Sequence, residues 1–338
     1  MKYKTFIFFM LFISLLISGC SDSTGGSVEN SSAGEKDTET IVFRLAENQP
    51  EDYPTTIGDK EFARLVEERT NGRYKIEVYH SGQLGDERSV IEQVQLGSID
   101  FARVNASPLT EFSDAIGVLS LPYLFDNADH MWEVLNGEVG DELLATLEDA
   151  GMIGLAFYDS GERHFYNTVR PIHSPEDLKG LKIRTQQSQL IIDLVEALGA
   201  SATPISYEEV YSALQTGVID GAENNFPSYY TSSHYEVAKY YTLSAHSSVP
   251  EVLLASSSTW EKLSEEDKEI FRKAAKDSVE VQRKAWAELV EKSRKLIEEN
   301  GNEIIEISDY TEWREAVQPI YDKYGQEFAE WIERIQNH

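Results

Sequence analysis

Short apolar runs alternate with amphipathic helical stretches twice along this chain, and that rhythm restricts its fold more than any other feature. In the first block, Ile41 to Ala46 reads as a strand. A helix over roughly Thr56 to Asn71 follows, with Ile57, Phe62, Leu65 and Val66 on one side and Asn71-Gly72 as its stop. Tyr74 to Tyr79 is a strand, Glu87 to Leu96 a helix, and Ile99 to Val104 a strand. The second block repeats the pattern: strand Ile153 to Tyr158, a turn at Pro175 to Leu178, strand Leu181 to Thr185, helices Ser188 to Leu198 and Tyr207 to Gln215, then Val218 to Ala222. Strands spaced by helices of this length imply crossover connections and a mostly parallel sheet. Two such blocks, one on each side of about residue 160, predict two α/β lobes with a cleft between them.

The last third differs. Ser264 with Asp267 three residues on resembles a capping box, with Asp in place of the commoner Glu or Gln. No Gly or Pro interrupts the chain from there to Asn300, and Gly301 supplies a stop. One helix over that stretch would extend roughly 55 Å and lie across both lobes as a spine. Two helices with an unmarked break are the alternative, since helices beyond about 25 residues are unusual. Trp313, Tyr321 and Trp331 are expected to dock a final helix onto the body.

Acidic residues outnumber basic ones by 59 to 30 among 338, a formal charge of −29. That excess opposes binding to a phosphate backbone, which needs clustered Lys and Arg, so nucleic acid is not an expected partner. The single cysteine excludes an internal disulfide framework and any multi-cysteine metal site. It is Cys20, after Lys2, Lys4, the apolar run Phe6 to Ile17 and Ser18-Gly19. This has the order of a secretory signal, and the apolar run is shorter than the roughly 20 residues of a spanning helix. Ile17-Ser18-Gly19-Cys20 resembles the bacterial lipoprotein box, in which the cysteine becomes the lipidated first residue; an ordinary signal peptide with an incidental cysteine is the alternative. Residues 21–40 are small and polar without aromatics, as in a flexible tether. The expected organisation is therefore signal peptide 1–20, tether 21–40, lobe 1 over 41–160 completed by part of 250–338, lobe 2 over 161–249, and a strand, spanning helix and C-terminal helices over 250–338. The expected location is outside the cytoplasm, anchored to the cell membrane through Cys20.

The common catalytic, nucleotide-binding and dinucleotide-binding motifs are missing, and the seven histidines show no metal-ligand spacing. No cofactor or metal is expected. His164 reads as structural, and the acidic pairs Glu208-Glu209 and Glu265-Glu266 as solvated helix faces rather than a glycosidase dyad. Arg163 and Arg184 stand out as rare cations in an acidic chain. Arg184 ends the strand Leu181-Lys182-Ile183-Arg184, where open α/β sheets present ligand contacts. A guanidinium's planar fork of donors matches the two oxygens of a carboxylate. A structural ion pair with a neighbouring Glu is the competing reading.

The run PEDLKGLKIRTQQSQLIIDLVEALGASATPISYEEVYSALQTGVIDGAENN closely resembles the solute-binding proteins of tripartite ATP-independent periplasmic (TRAP) transporters, the DctP-like family. Ser81-Gly82-Gln83-Leu84-Gly85-Asp86-Glu87-Arg88 and Leu121-Pro122-Tyr123 also match, and the similarity covers about residues 41 to 330. The resemblance implies a periplasmic-binding-protein-like α/β fold: two lobes around a ligand cleft, a long helix spanning both, and closure over an organic acid that is passed to TRAP membrane permease subunits. It makes Arg184 the carboxylate clamp, Arg163 a second cleft arginine and Asn224 a polar contact after the Asp-Gly turn. It places Tyr207 on the ligand, Gln187 near the clamp, and Glu87 as an acceptor for ligand hydroxyls, with Glu47 and Asn48 at the end of the first strand. Arg103 and Asn105 share a strand face and are expected to face the cleft, with an Arg103–Glu87 pair as the alternative. Ala222-Glu223-Asn224-Asn225-Phe226-Pro227-Ser228-Tyr229 looks like the variant of members that bind hexuronates such as glucuronate and galacturonate, with Asn225 a further hydroxyl contact. A C4-dicarboxylate, for which Arg103 and Arg163 would supply added charge, is the alternative ligand. Functions of another class are a ligand-sensing surface protein and a secreted carbohydrate-active enzyme.

Overall fold

A computed structural model of the chain describes residues 40–338; the leader, Cys20 and the tether up to residue 39 lie outside the described residues. Two sheets organise the rest. The first contains β1 (Ile41–Ala46), β2 (Tyr74–Tyr79), β3 (Phe101–Asn105), β4 (Met152–Tyr158) and β10 (Glu251–Ser256), in the order β2-β1-β3-β10-β4. The second contains β5 (Arg163–Asn167), β6 (Lys182–Thr185), β7 (Ser201–Pro204), β8 (Gly221–Asn224), β9 (Tyr240–Ser247) and β11 (Glu303–Ile305), in the order β11-β9-β5-β8-β6-β7. Each sheet, with the helices around it, makes one α/β lobe.

Both sheets are mixed, which departs from the mostly parallel arrangement that the alternating pattern implies. β1 pairs in parallel with β2 and β3, but β10 enters antiparallel between β3 and β4. In the second lobe β5 runs antiparallel to both β8 and β9. The strands that reverse the pattern arise where the chain crosses between lobes, so local periodicity carries no sign of their direction. β5 is buried at all five positions and β7 is short and half-exposed, so neither shows the two-residue alternation that marks a strand.

The chain crosses between the sheets at residues 159–162, at residues 248–250, and along one uninterrupted helix, Glu265–Glu299. Its 35 residues span about 52 Å at 1.5 Å each, and the Ser264 side chain caps it by accepting the Asp267 N–H. Near its start Phe271 joins the aromatic core of the first lobe, with ring centroids 5.8 Å from Phe101 and 6.2 Å from Phe43 and Phe62. Near its end Ile297 packs in the second lobe's core with Tyr166, Tyr229 and Tyr241. Helix Pro54–Arg69 crosses it so closely at Gly58 that a Cβ there would lie 2.9 Å from Gln282 Cβ. Three short helices follow β11: Thr311–Ala316, Gln318–Tyr324 and Ala329–Gln336. Trp313 is buried against Phe165, while the Tyr321 and Tyr324 hydroxyls donate to Pro122 O at 2.7 Å and Asp193 Oδ2 at 2.5 Å.

The helix also pins the crossing. The buried Gln282 amide donates to Asp159 O at 2.8 Å, and its carbonyl accepts the Asp159 N–H at 2.9 Å. Ser160 Oγ donates to Val249 O, tying the two strand crossings together at 2.5 Å. Among the described residues no helix is long and apolar enough to cross a membrane. Gln282→Leu leaves both Asp159 backbone groups without partners and is expected to lower unfolding free energy by about 1–3 kcal/mol in urea titration.

Candidate functional site

Between the lobes lies a pocket of about 300 Å³, open solvent at its mouth included, walled almost wholly by polar side chains from both sheets. Three buried arginines reach it, and their partners differ.

Arg103, on β3, is 1% exposed and its donors are engaged. Nε donates to Glu47 Oε2 at 2.9 Å and Nη2 to Glu47 Oε1; Nη2 also reaches Asn48 Oδ1 at 2.5 Å, and Nη1 reaches Glu251 Oε2 at 2.6 Å. Glu87 lies farther off, at 3.5 Å from Nη1, so the expected alternative pairing is the weakest of its contacts. Glu47 is spent on this role, since its two oxygens also accept the Gln49 N–H and the Thr55 hydroxyl. It does not line the pocket, whereas Asn48 does.

Arg163, on β5, donates from Nε and Nη2 to the two carboxylate oxygens of Glu223, from Nη2 to Glu223 O at 2.9 Å, and from Nη1 to Asn224 Oδ1 at 3.2 Å. Burial pushes the Glu223 carboxyl up, but the Arg163 charge and the hydrogen bonds from His246 and Arg163 outweigh it and hold the pKa at about 2. Burial lowers His164 to about 3, so the imidazole is neutral and accepts the Ala245 N–H at 3.0 Å, a structural role.

Arg184 is the exception. It sits at the end of β6, 4% exposed, with Nε fixed on Ile205 O at 3.0 Å. Among the described residues its two Nη groups have no hydrogen-bond partner, and the residue lines the pocket. Burial pulls its pKa below the ordinary guanidinium value, with Glu223 opposing and Arg163 adding to the effect. A buried cation without a counterion at its fork favours any anion that enters.

The remaining groups surround these charges. Glu87 begins the helix Glu87–Gln95, and its Oε1 accepts the Asn105 N–H at 2.9 Å. Burial and the neighbouring Glu251 push its carboxyl up to about 8. Asn105 faces the pocket but is saturated: Nδ2 donates to Val249 O and Glu251 Oε1, and Oδ1 accepts from the Ser107 N–H and from Gln186 Nε2. Asn224 has Oδ1 on Arg163 and on the Asn225 N–H, which leaves its NH₂ to the pocket. Tyr207 borders the pocket, its hydroxyl 3.4 Å from Ser228 O.

Besides Glu47, two expected contacts sit elsewhere. Asn225 does not line this pocket: it caps the helix Phe226–Thr231 by accepting the Ser228 N–H at 2.7 Å and donates to Ser160 O at 2.9 Å. Asn followed by Pro within the first turn is a helix-start signal that accounts for it. Gln187 lies at the mouth with Ser206 and Arg88, while Gln186 lines the interior and bonds across the cleft to Asn105 at 3.0 Å. Two-residue alternation from Arg184 selects Gln186. Glu251, Gln49 and Ser228 also line the pocket; Glu251 arrives on β10, a strand expected after residue 250 whose antiparallel place beside β3 has no local signal.

The lobes meet across the cleft. Besides Gln186 with Asn105, the Tyr53 hydroxyl lies 2.8 Å from Ser228 Oγ, Thr110 Oγ1 3.0 Å from Ser188 Oγ, and the Gln189 N–H donates to Glu111 Oε1 at 2.9 Å. The site is a closed polar chamber with one uncompensated guanidinium, suited to enclosing a small anion that carries hydrogen-bonding groups.

The family of bacterial extracellular solute-binding proteins, family 7, matches residues 45–327. A TRAP periplasmic solute-binding protein of a Bradyrhizobium species, solved with galacturonate, is 44% identical with a TM-score of 0.86, covering 88% of this chain and 99% of that one. Another, from Chromohalobacter salexigens with bound glucuronate, is 40% identical with a TM-score of 0.85, covering 87% and 99%. A curated relative from Chromohalobacter salexigens, called a solute-binding protein, is 43% identical over 189 residues, 56% of each chain. The matched stretch thus spans little more than half the length of the curated relatives.

Replacing Glu223 by Gln leaves Arg163 without its buried counterion. Stability at pH 7 should fall by about 3–5 kcal/mol in denaturant titration. Because the Glu223 pKa is depressed from 4.5 to about 2, the stability it contributes is present above pH 4.5 and lost as pH falls toward 2. The variant should therefore show a shallower acid dependence in that window.

Proposed function

The chain belongs to family 7 of the bacterial extracellular solute-binding proteins, and from that premise we propose that it captures a hexuronate, such as galacturonate or glucuronate, and passes it to the membrane subunits of a TRAP transporter. The observation that carries the ligand class is the division of labour among the arginines. Arg103 and Arg163 are compensated by Glu47, Glu251 and Glu223, and of the three Arg184 alone keeps a fork without a partner among the described residues. One fork accommodates one carboxylate in bidentate geometry. The second carboxylate of a C4-dicarboxylate would meet a cavity edge that, among the described residues, holds no second unpaired cation. Hydroxyls suit that edge: the Asn224 NH₂, Asn48 and Gln186 supply amide groups, and Glu87 and Glu251 supply oxygens. The galacturonate and glucuronate bound in the similar solved proteins support the same reading.

The role is binding by hinge closure. A ligand that touches both lobes favours the closed arrangement by its added contacts, with the crossings at 159–162 and 248–250 as the flexing points. Lipid on Cys20, followed by the polar residues 21–40, would keep the lobes beside the outer face of the cell membrane.

In a thermal-shift screen, galacturonate and glucuronate should raise the melting temperature, with succinate, glucose and galactose giving little response. Arg184→Ala should weaken uronate binding by about a hundredfold or more, because a buried charge-assisted pair is lost. An undiminished response in that variant would dispose of the clamp. Cys20→Ser should release the protein from the membrane fraction of its producing cell, and retention there would count against the anchor.

A further inference from the structure

The first-lobe wall of the pocket holds more negative charge than it can neutralise. Arg103 is surrounded by Glu47, Glu251 and Glu87, and its donors are used on the first two. Glu87 receives only the 3.5 Å approach of Nη1 and the Asn105 backbone N–H. Its side chain is 14% exposed and lines the pocket. Among the described residues no other element brings it a spare cation. On its own helix Asp86 is engaged by Ser89, and Arg88 faces Glu92 at 3.5 Å. From the second lobe, Glu208 adds negative charge at the mouth, with its Oε1 close to Gly82. Opposite stand two arginines of the second lobe: Arg163 is spent on Glu223, and a uronate carboxylate would occupy Arg184.

Building on the uronate reading, we infer that Glu87 takes part in the closed complex as the neutral acid, so that closing on a uronate takes up a proton from solution. The neutral carboxyl keeps Oε1 as acceptor for the Asn105 N–H and offers an O–H on its other oxygen. That group donates to a ligand hydroxyl or ring oxygen, where a carboxylate could only accept. Protonation also removes the repulsion between Glu87 and both Glu251 and the incoming anion.

The sign of the linkage follows from burial. With the lobes apart, Tyr207, Glu208 and Arg184 withdraw and water reaches Glu87, bringing its pKa toward the ordinary carboxyl range near 4.5. In the closed form burial and Glu251 hold it at about 8. The closed state then carries a proton that the open state lacks through the interval between these values. Affinity falls as pH rises through that interval and levels off above pH 8.

Isothermal titration of galacturonate and glucuronate in two buffers of different ionisation enthalpy counts the protons taken up, and a series from pH 6 to pH 9.5 gives the affinity profile. The wild type should take up about half a proton or more per ligand at pH 7 and lose about three- to tenfold in affinity per unit up to pH 8. In Glu87→Gln both the uptake and the pH slope should vanish, whatever its absolute affinity. Uronate binding with no proton uptake and a flat profile in the wild type would overturn the inference while leaving the uronate reading intact. So would a slope that persists in a folded Glu87→Gln. Should that variant fail to fold, the wild-type proton count decides alone. Failure of both uronates to bind at any pH would overturn the uronate reading and this inference together.

Discussion

A guanidinium buried away from water has to find negative charge, and the way this protein meets that demand at three positions sets the character of its cleft. At Arg103 and Arg163 the counterions are built into the chain. Glu47 and Glu251 converge on the first from the ends of two different strands, and Glu223 holds the second from the neighbouring strand. At Arg184 a carbonyl fixes the side chain, and among the described residues no carboxylate bonds to its fork. The fork is immobilised before any anion arrives, so little ordering remains to be done on binding. The two satisfied arginines serve as scaffolding, positioning Asn48 and Asn224 by drawing their carbonyl oxygens inward.

That arrangement depends on the lobes being held in register. The long helix contributes Phe271 to one core and Ile297 to the other, and between them Gln282 and Trp286 meet the crossing. Trp286 stands so near Gly161 that a Cβ there would lie 2.9 Å from its ring, at a backbone φ of +58°. A glycine serves that position both because the conformation is left-handed and because the space is filled. Residues 159–162 are thereby a short segment pressed against the long helix.

The sequence discloses those parts of this design that are local. The end of the strand at Arg184 and the uninterrupted helix after Ser264 can be seen directly, because each is written in consecutive residues. Resemblance to a family brings Asn224, Tyr207 and Glu87 to the cleft, where the pocket places them. What escapes local reading is pairing. Glu251 comes from 148 residues beyond its partner Arg103, and Glu223 from 60 beyond Arg163. Whether an arginine is a ligand contact or half of an internal ion pair depends on such distant partners. Asn225 differs for the opposite reason: Asn225-Phe226-Pro227 is a local helix-start signal, and its side chain caps that helix instead of lining the pocket.

The placing of β10 and β11 has a consequence for how the molecule is made. The first sheet is split between β3 and β4 until residues 251–256 slot into the gap, and the outer edge of the second sheet stays bare until residues 303–305 arrive. A ribosome releases these segments late. The first lobe's hydrogen-bonded ladder therefore cannot be finished before residue 256 has been made, nor the second's before residue 305, so both sheets close only late in synthesis.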